Sequence, residues 1–287
     1  MGAEKLVNVV HSGLAWEMKH IRNERDLSLE VVCQQLKWQQ SKLSRMENGQ
    51  QHISDVDLGA LLVIYEVHGQ ERRRLLHLTN RQDDPGRWEL DMPIEPDDVP
   101  NRRGTLRRLE PEATALVDAE IALMPGLAQT ADYAAAVMKA AGVAPELVKR
   151  RVETRVERQS LLSKKNSPKF DMILDEAALR KIVGSRAIMV RQLRALLELA
   201  ERPNVRLWVV PFELSANVAF YEPFYLMKFP RDKSVVLLES KGSRVFLEDP
   251  EKIDFFQHHA AKVVNAALNP AASADFVGKV RKEYERE

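Results

Sequence analysis

The sequence predicts a multi-domain chain. An N-terminal all-α domain of five short helices precedes an α+β domain built around a small sheet. Three observations predict this. Residues 14–80 place apolar side chains at helical spacing, broken repeatedly by cap and turn residues. Residues 81–108 change character: they hold four of the fourteen prolines, and residues 81–100 carry seven Asp/Glu against two Arg. Beyond them, β-branched and aromatic runs such as VRLWVV alternate with long charged helical patterns. The expected boundaries are 1–80 for the helical domain, 81–108 for a Pro/acid-rich linker, and 109–287 for the α+β domain. A chain of 287 residues, 45% hydrophobic, can bury a core in each.

The helical domain reads in order. LAWEMKHIRNER aligns Leu14, Met18 and Ile21 on one face. In DLSLEVVCQQL, Ser28 is the expected N-cap and Val31, Val32 and Leu36 the inward positions. Lys37-Trp38 connects to QQSKLSRMENG, where Leu43 and Met46 turn inward and Gly49 supplies a left-handed cap. Ser54 caps the fourth helix, with Asp57 three residues on. GQERRRLLHLTNR, carrying Leu75, Leu76 and Leu78, forms the fifth.

Within the linker, Trp88, Leu90, Met92 and Ile94 imply packing rather than a free tether. The α+β part then predicts helices at TADYAAAVMKAAG, PELVKRRVETRVERQSLLSKK, EAALRKIVG and RAIMVRQLRALLELAERP. Strands are expected at KFDMILD, VRLWVVPF, FYLMKFP, SVVLLES and SRVFLED, with a polar turn at 231–233 joining the third and fourth. Two helices close the chain, the first capped by Asp249 with Pro250 in its first turn.

The stretch from Ser28 to Gly49 has what a helix-turn-helix needs. Cys33 is small enough for two helices to cross. Leu43 and Met46 face inward. The first turns of the second helix carry Gln40, Ser41, Ser44 and Arg45, which reach base edges if the helix enters a major groove. Lys37 stands in the turn between the two helices, where a lysine can reach a backbone phosphate.

SLEVVCQQLKWQQSKLSRMENG resembles the phage-repressor-like, or XRE, helix-turn-helix family. The resemblance implies Gln40, Ser41 and Arg45 as base readers and Lys42 and Asn48 as phosphate contacts. It also implies an ion pair between Arg22 and Glu47 that fixes the angle between the first and third helices. The chain departs from the family at Leu29, where a glutamine is common, and at Lys37, where a glycine is. Downstream, LMPGLAQTADYAAAVM, RRVETRVERQ, LDEAALRKIVG, LLELAERPNVRLWVVPF, EPFYLMKF and FLEDPEKI occur in order and are similar to actinobacterial regulators of the WhiJ type. That resemblance covers residues 14–285. It implies transcription regulation and a small protein partner in an antitoxin-like arrangement.

Charge limits these readings. The formal net charge is +1, and residues 1–80 hold ten Lys/Arg and ten Asp/Glu, so no global basic field attracts DNA. A homodimer on a double-stranded operator would double the contacts. Arg102, Arg103, Arg107 and Arg108 offer a further basic cluster or a solvated helix start. The alternative is an antitoxin-like interaction protein whose helix-turn-helix has lost DNA affinity.

Catalysis finds little support. No metal, nucleotide or cysteine-pair motif occurs, so no cofactor, metal or catalytic residue is expected. His258 and His259 are adjacent on a helix and face apart. A remote nuclease pattern would need Asp171, Asp175 and Glu239 with Lys241 on neighbouring strands. Trp208, Phe212, Phe220, Tyr221, Phe224 and Tyr225 form either core or a ligand pocket, with 213–222 as a covering loop. A single cysteine and no long apolar run lead to the expectation of a cytoplasmic chain without a membrane span.

Overall fold

A computed structural model describes residues 9–48, 51–80, 87–91, 106, 109–215, 218–230, 233–239 and 243–286. The chain divides into two compact units: Met1–Trp88 with Asn101–Thr105, and Glu89–Pro100 with Leu106–Glu287.

The first unit is all-α: α1 (Val9–Glu24), α2 (Leu29–Leu36), α3 (Gln40–Glu47), α4 (Asp55–Ile64) and α5 (Gly69–Asn80). Its boundaries follow local chemistry. Ser28 Oγ accepts the Val31 N–H at 3.2 Å, and Ser54 Oγ accepts the Asp57 N–H at 3.1 Å, each satisfying an orphan first-turn donor. Leu14, Met18, Val32, Leu43, Met46, Leu58 and Leu61 close one core. Val31, expected inward, is 40% exposed. At 3.6 residues per turn, Leu29, Val32, Cys33 and Leu36 share a face, and Val31 projects from the opposite one.

The second unit is α+β. Its helices are α6 (Ala131–Ala140), α7 (Pro145–Gln159), α8 (Glu176–Arg180), α9 (Arg186–Ala200), α10 (Phe212–Ser215), α11 (Pro250–Ala266) and α12 (Pro270–Arg286). The strands are β1 (Arg87–Asp91), β2 (Ala115–Glu120), β3 (Lys169–Asp175), β4 (Val205–Val210), β5 (Phe224–Lys228), β6 (Ser234–Glu239) and β7 (Ser243–Leu247). They line up as β1-β7-β6-β5-β2-β3-β4. Thus part of the stretch read as linker, Arg87–Asp91, is an edge strand. The rest of 81–108, apart from Leu106, lies outside the described residues, as do residues 231–232 of the polar turn.

β2 is central and was not expected. It pairs parallel with β3 (Asp118 opposite Met172) and antiparallel with β5 (Asp118 opposite Tyr225), which makes the sheet mixed. Val117, Ala119, Ile173, Phe224, Leu226 and Val236 face one side and pack with Ala260 and Val263 of α11. α12 lies along β4 and α9. Ser273 fastens it: its Oγ accepts the Val209 N–H and donates to the Leu268 carbonyl, both at 2.9 Å. Gly184 makes the tight entry to α9 possible. Its φ is +71°, and a Cβ there would lie 2.7 Å from Ile188 Cδ1 and 2.9 Å from Ala136 Cβ. Among the described residues, no helix is long and apolar enough to cross a membrane.

Candidate nucleic-acid interface

α2 ends at Lys37, whose φ of 54° and ψ of 39° are left-handed. A lysine therefore adopts the conformation that a glycine would take more cheaply. The chain turns at once: the Trp38 N–H returns to the Cys33 carbonyl at 2.9 Å, and α3 starts at Gln40. Cys33 is buried in the crossing, and burial raises its thiol pKa.

α3 has two unlike faces. Leu43, Met46 and Glu47 are buried. Gln40, Ser41, Arg45 and Asn48 are exposed and Ser44 is half-buried. At 3.6 residues per turn these five span an arc of about 140°. One outward face thus collects four potential base readers. The Asn48 carboxamide accepts from Lys19 Nζ at 3.4 Å and donates to Ser44 Oγ at 3.4 Å. Arg45 Nε donates to the Gln51 carboxamide oxygen at 3.2 Å. Gly49, read as the cap of this helix, lies outside the described residues.

Glu47 explains how the outward face is held. Its carboxylate accepts from Arg22 Nε at 2.6 Å and Arg22 Nη2 at 2.9 Å, a bidentate pair between two nearly buried side chains. Arg22 also donates to the Leu27 carbonyl at 2.6 Å. The hydrogen bond to Glu47 raises the Arg22 pKa, against the opposing effect of burial. Tyr65 Oη lies 3.5 Å from the same carboxylate, and burial raises its phenol pKa. Leu29 is half-buried against this core instead of offering a polar group to a backbone phosphate.

Lys42 is not a free cation. Its Nζ lies 2.7 Å from Asp57 Oδ1 and 4.0 Å above the centre of the Trp38 ring. Arg102, Arg103, Arg107 and Arg108 lie outside the described residues.

The structure divides the six aromatic residues that the sequence offers as either core or a pocket. Phe220 and Phe224 are buried in the core, with Trp208 packed against it. Phe212 and Tyr221 are 51% and 68% exposed. Tyr225 follows Phe224 on β5 and so faces the other side of the sheet. There its hydroxyl donates to Glu110 Oε1 at 3.0 Å. The nuclease pattern also fails. Asp171 pairs with Arg206, and Asp175 caps α8 by accepting the Ala177 N–H at 2.8 Å. Alternation puts Glu239 on the face opposite to both. Lys241 lies outside the described residues. Among the described residues no cluster of three or more His, Cys, Asp or Glu is arranged to hold a metal. His258 is exposed against Asp254, while His259 turns to Phe255 and Phe224.

Sequence reasoning missed a polar cluster on the face that carries Tyr225. Arg158 makes a bidentate pair with the buried Glu110 at 3.0 and 2.6 Å. Asp118 of β2 is 8% exposed. Burial, reinforced by Glu239 and Glu110 and opposed by Arg158, pushes its pKa up to about 8. Burial and Asp118 raise Glu120 in the same direction. The only sequence signal is the pair of acids in ALVDAE, which reads equally well as a solvated surface.

Comparison with known proteins fits this division. A family described as a domain of unknown function, DUF5753, matches residues 103–279, more than half of the chain. The chain belongs to this family. A second family, described as a helix-turn-helix domain, matches residues 14–75, the span of α1 to α5. No curated protein sequence matches. One similar solved structure is that of TrmBL2, described as an archaeal chromatin protein with a novel mode of DNA binding. The identity is 13% and the TM-score 0.32, over 69% of this chain and 60% of that one.

Proposed function

We propose that this DUF5753 protein is a sequence-specific, DNA-binding transcription regulator. Its N-terminal unit lays α3 in the major groove of a double-stranded operator. The carrying observation is the outward face of Gln40, Ser41, Ser44 and Arg45, held rigid from behind by Leu43, Met46 and the Arg22–Glu47 pair. Rigid placement lets short polar side chains discriminate bases. The helix-turn-helix family match over residues 14–75 supports the same reading. Asn48, at the end of α3 on the same arc, and Lys37, in the turn before α3, would meet phosphates.

The finer reading follows the XRE and WhiJ-type resemblance. The protein acts as a cytoplasmic homodimer, because paired half-sites compensate for a domain with ten basic and ten acidic residues. Its second unit is regulatory and not enzymatic, and a small protein partner or ligand bound there shifts the dimer between DNA-competent and incompetent states. A second reading, an antitoxin-like interaction protein with weak DNA affinity, is favoured by that charge balance and by Leu29 in the core. Arg45→Ala separates the two. On operator DNA it is expected to cost about 1–3 kcal/mol and relax base preference. Equal, shallow binding by wild type and variant on all sequences supports the second reading.

A further inference from the structure

We propose that Asp57 is an intramolecular stand-in for a DNA phosphate: it holds the Lys42 ammonium until a backbone phosphate replaces it, and so limits affinity for DNA of any sequence. The inference rests on α3 being the DNA-facing helix. Lys42 lies at the border of the outward face, next to Arg45 in helical phase. Phosphates flank the groove floor in that position, beside the base edges. The Asp57 carboxylate, at 2.7 Å, offers the ammonium the anionic oxygen that a phosphate would offer. The Trp38 ring, 4.0 Å away on another side, keeps the ammonium at that border. Asp57 is itself fixed in the first turn of α4, where its N–H donates to Ser54 Oγ at 3.1 Å.

The pair suits exchange. The side chains are 30% and 19% exposed, so the pair is only partly buried and a competing anion can reach it from solvent. A phosphate within the field of the DNA polyanion competes well against one such carboxylate. The two basic side chains of α3 are also treated differently. Arg45, at the base-reading face, is hydrogen-bonded to the neutral Gln51, whereas Lys42 faces a carboxylate. Sequence reading is left intact while the sequence-blind attraction is held down.

The test uses the full chain and a labelled mixed-sequence duplex, with affinity measured from about 50 to 200 mM salt. Asp57→Asn is expected to bind about three- to tenfold tighter at the lowest salt and to steepen the salt dependence by about one phosphate contact. Adding Lys42→Ala is expected to abolish that gain. Thermal melts accompany each variant, and Asp57→Ser replaces Asp57→Asn if the latter does not fold. Unchanged or weaker binding by a folded Asp57 variant overturns the proposal, as does a gain that survives Lys42→Ala. If wild type binds and Arg45→Ala weakens it while Asp57→Asn changes nothing, only the role of Asp57 falls. If no folded variant binds, the DNA reading falls and takes this one with it.

Discussion

Arg22 is a cation 7% exposed, and Glu47 is the group that makes its burial tolerable. Removing one member of such a pair strands the other charge. Glu47→Ala is therefore expected to cost about 3–5 kcal/mol of stability, read as a lower denaturant midpoint of the N-terminal unit. Asp118 poses the opposite problem, an acid with its pKa pushed up to about 8 in the folded state. The folded chain then keeps a proton that the unfolded chain loses near its ordinary pKa of about 4. Stability is fully present below that pH, falls as pH rises, and levels off above about 8. Asp118→Asn is expected to flatten this fall, so its melting temperature exceeds the wild type's most at alkaline pH. A constant offset across the range would contradict the assignment. At this scale the caps Ser28, Ser54 and Asp249 were legible, because capping depends on neighbours two or three residues away. Asp118 was not, because its burial depends on strands more than fifty residues distant in the chain.

Elements were legible where their pattern was strong and local. Most helices and strands beyond residue 109 fall where apolar period and punctuation place them, but the helix expected over 145–165 ends at Gln159 and Phe212–Ser215, expected as strand end and loop, is helical. β2 did not show itself, because its alternation runs over only four residues, Val117 to Glu120, and its two acids read equally as a solvated face. The turn after α2 gives a further prediction. Lys37 is left-handed, a conformation that strains a residue with a Cβ. Lys37→Gly relieves it, partly offset by the added freedom of the unfolded chain. The net expectation is stabilisation of up to about 1 kcal/mol, with weaker binding to all DNA if Lys37 also meets a phosphate. A lower melting temperature for Lys37→Gly would contradict the strain argument.

For the whole molecule, sequence alone conveyed the two-part plan: a helical unit that presents a rigid polar helix, and an α+β unit of different character. How the six aromatic residues divide was not legible: Phe224 and Tyr225 alternate across the sheet, and which side meets the helices depends on pairings the sequence does not display. What joins the units functionally is the claim that α3 reads DNA. The most direct test is genome-wide immunoprecipitation of the tagged protein, wild type beside Arg45→Ala. The account predicts sharp wild-type peaks that share an inverted repeat and disappear in the variant while protein levels stay equal. Identical maps for the two proteins, or no enrichment in either, would contradict it.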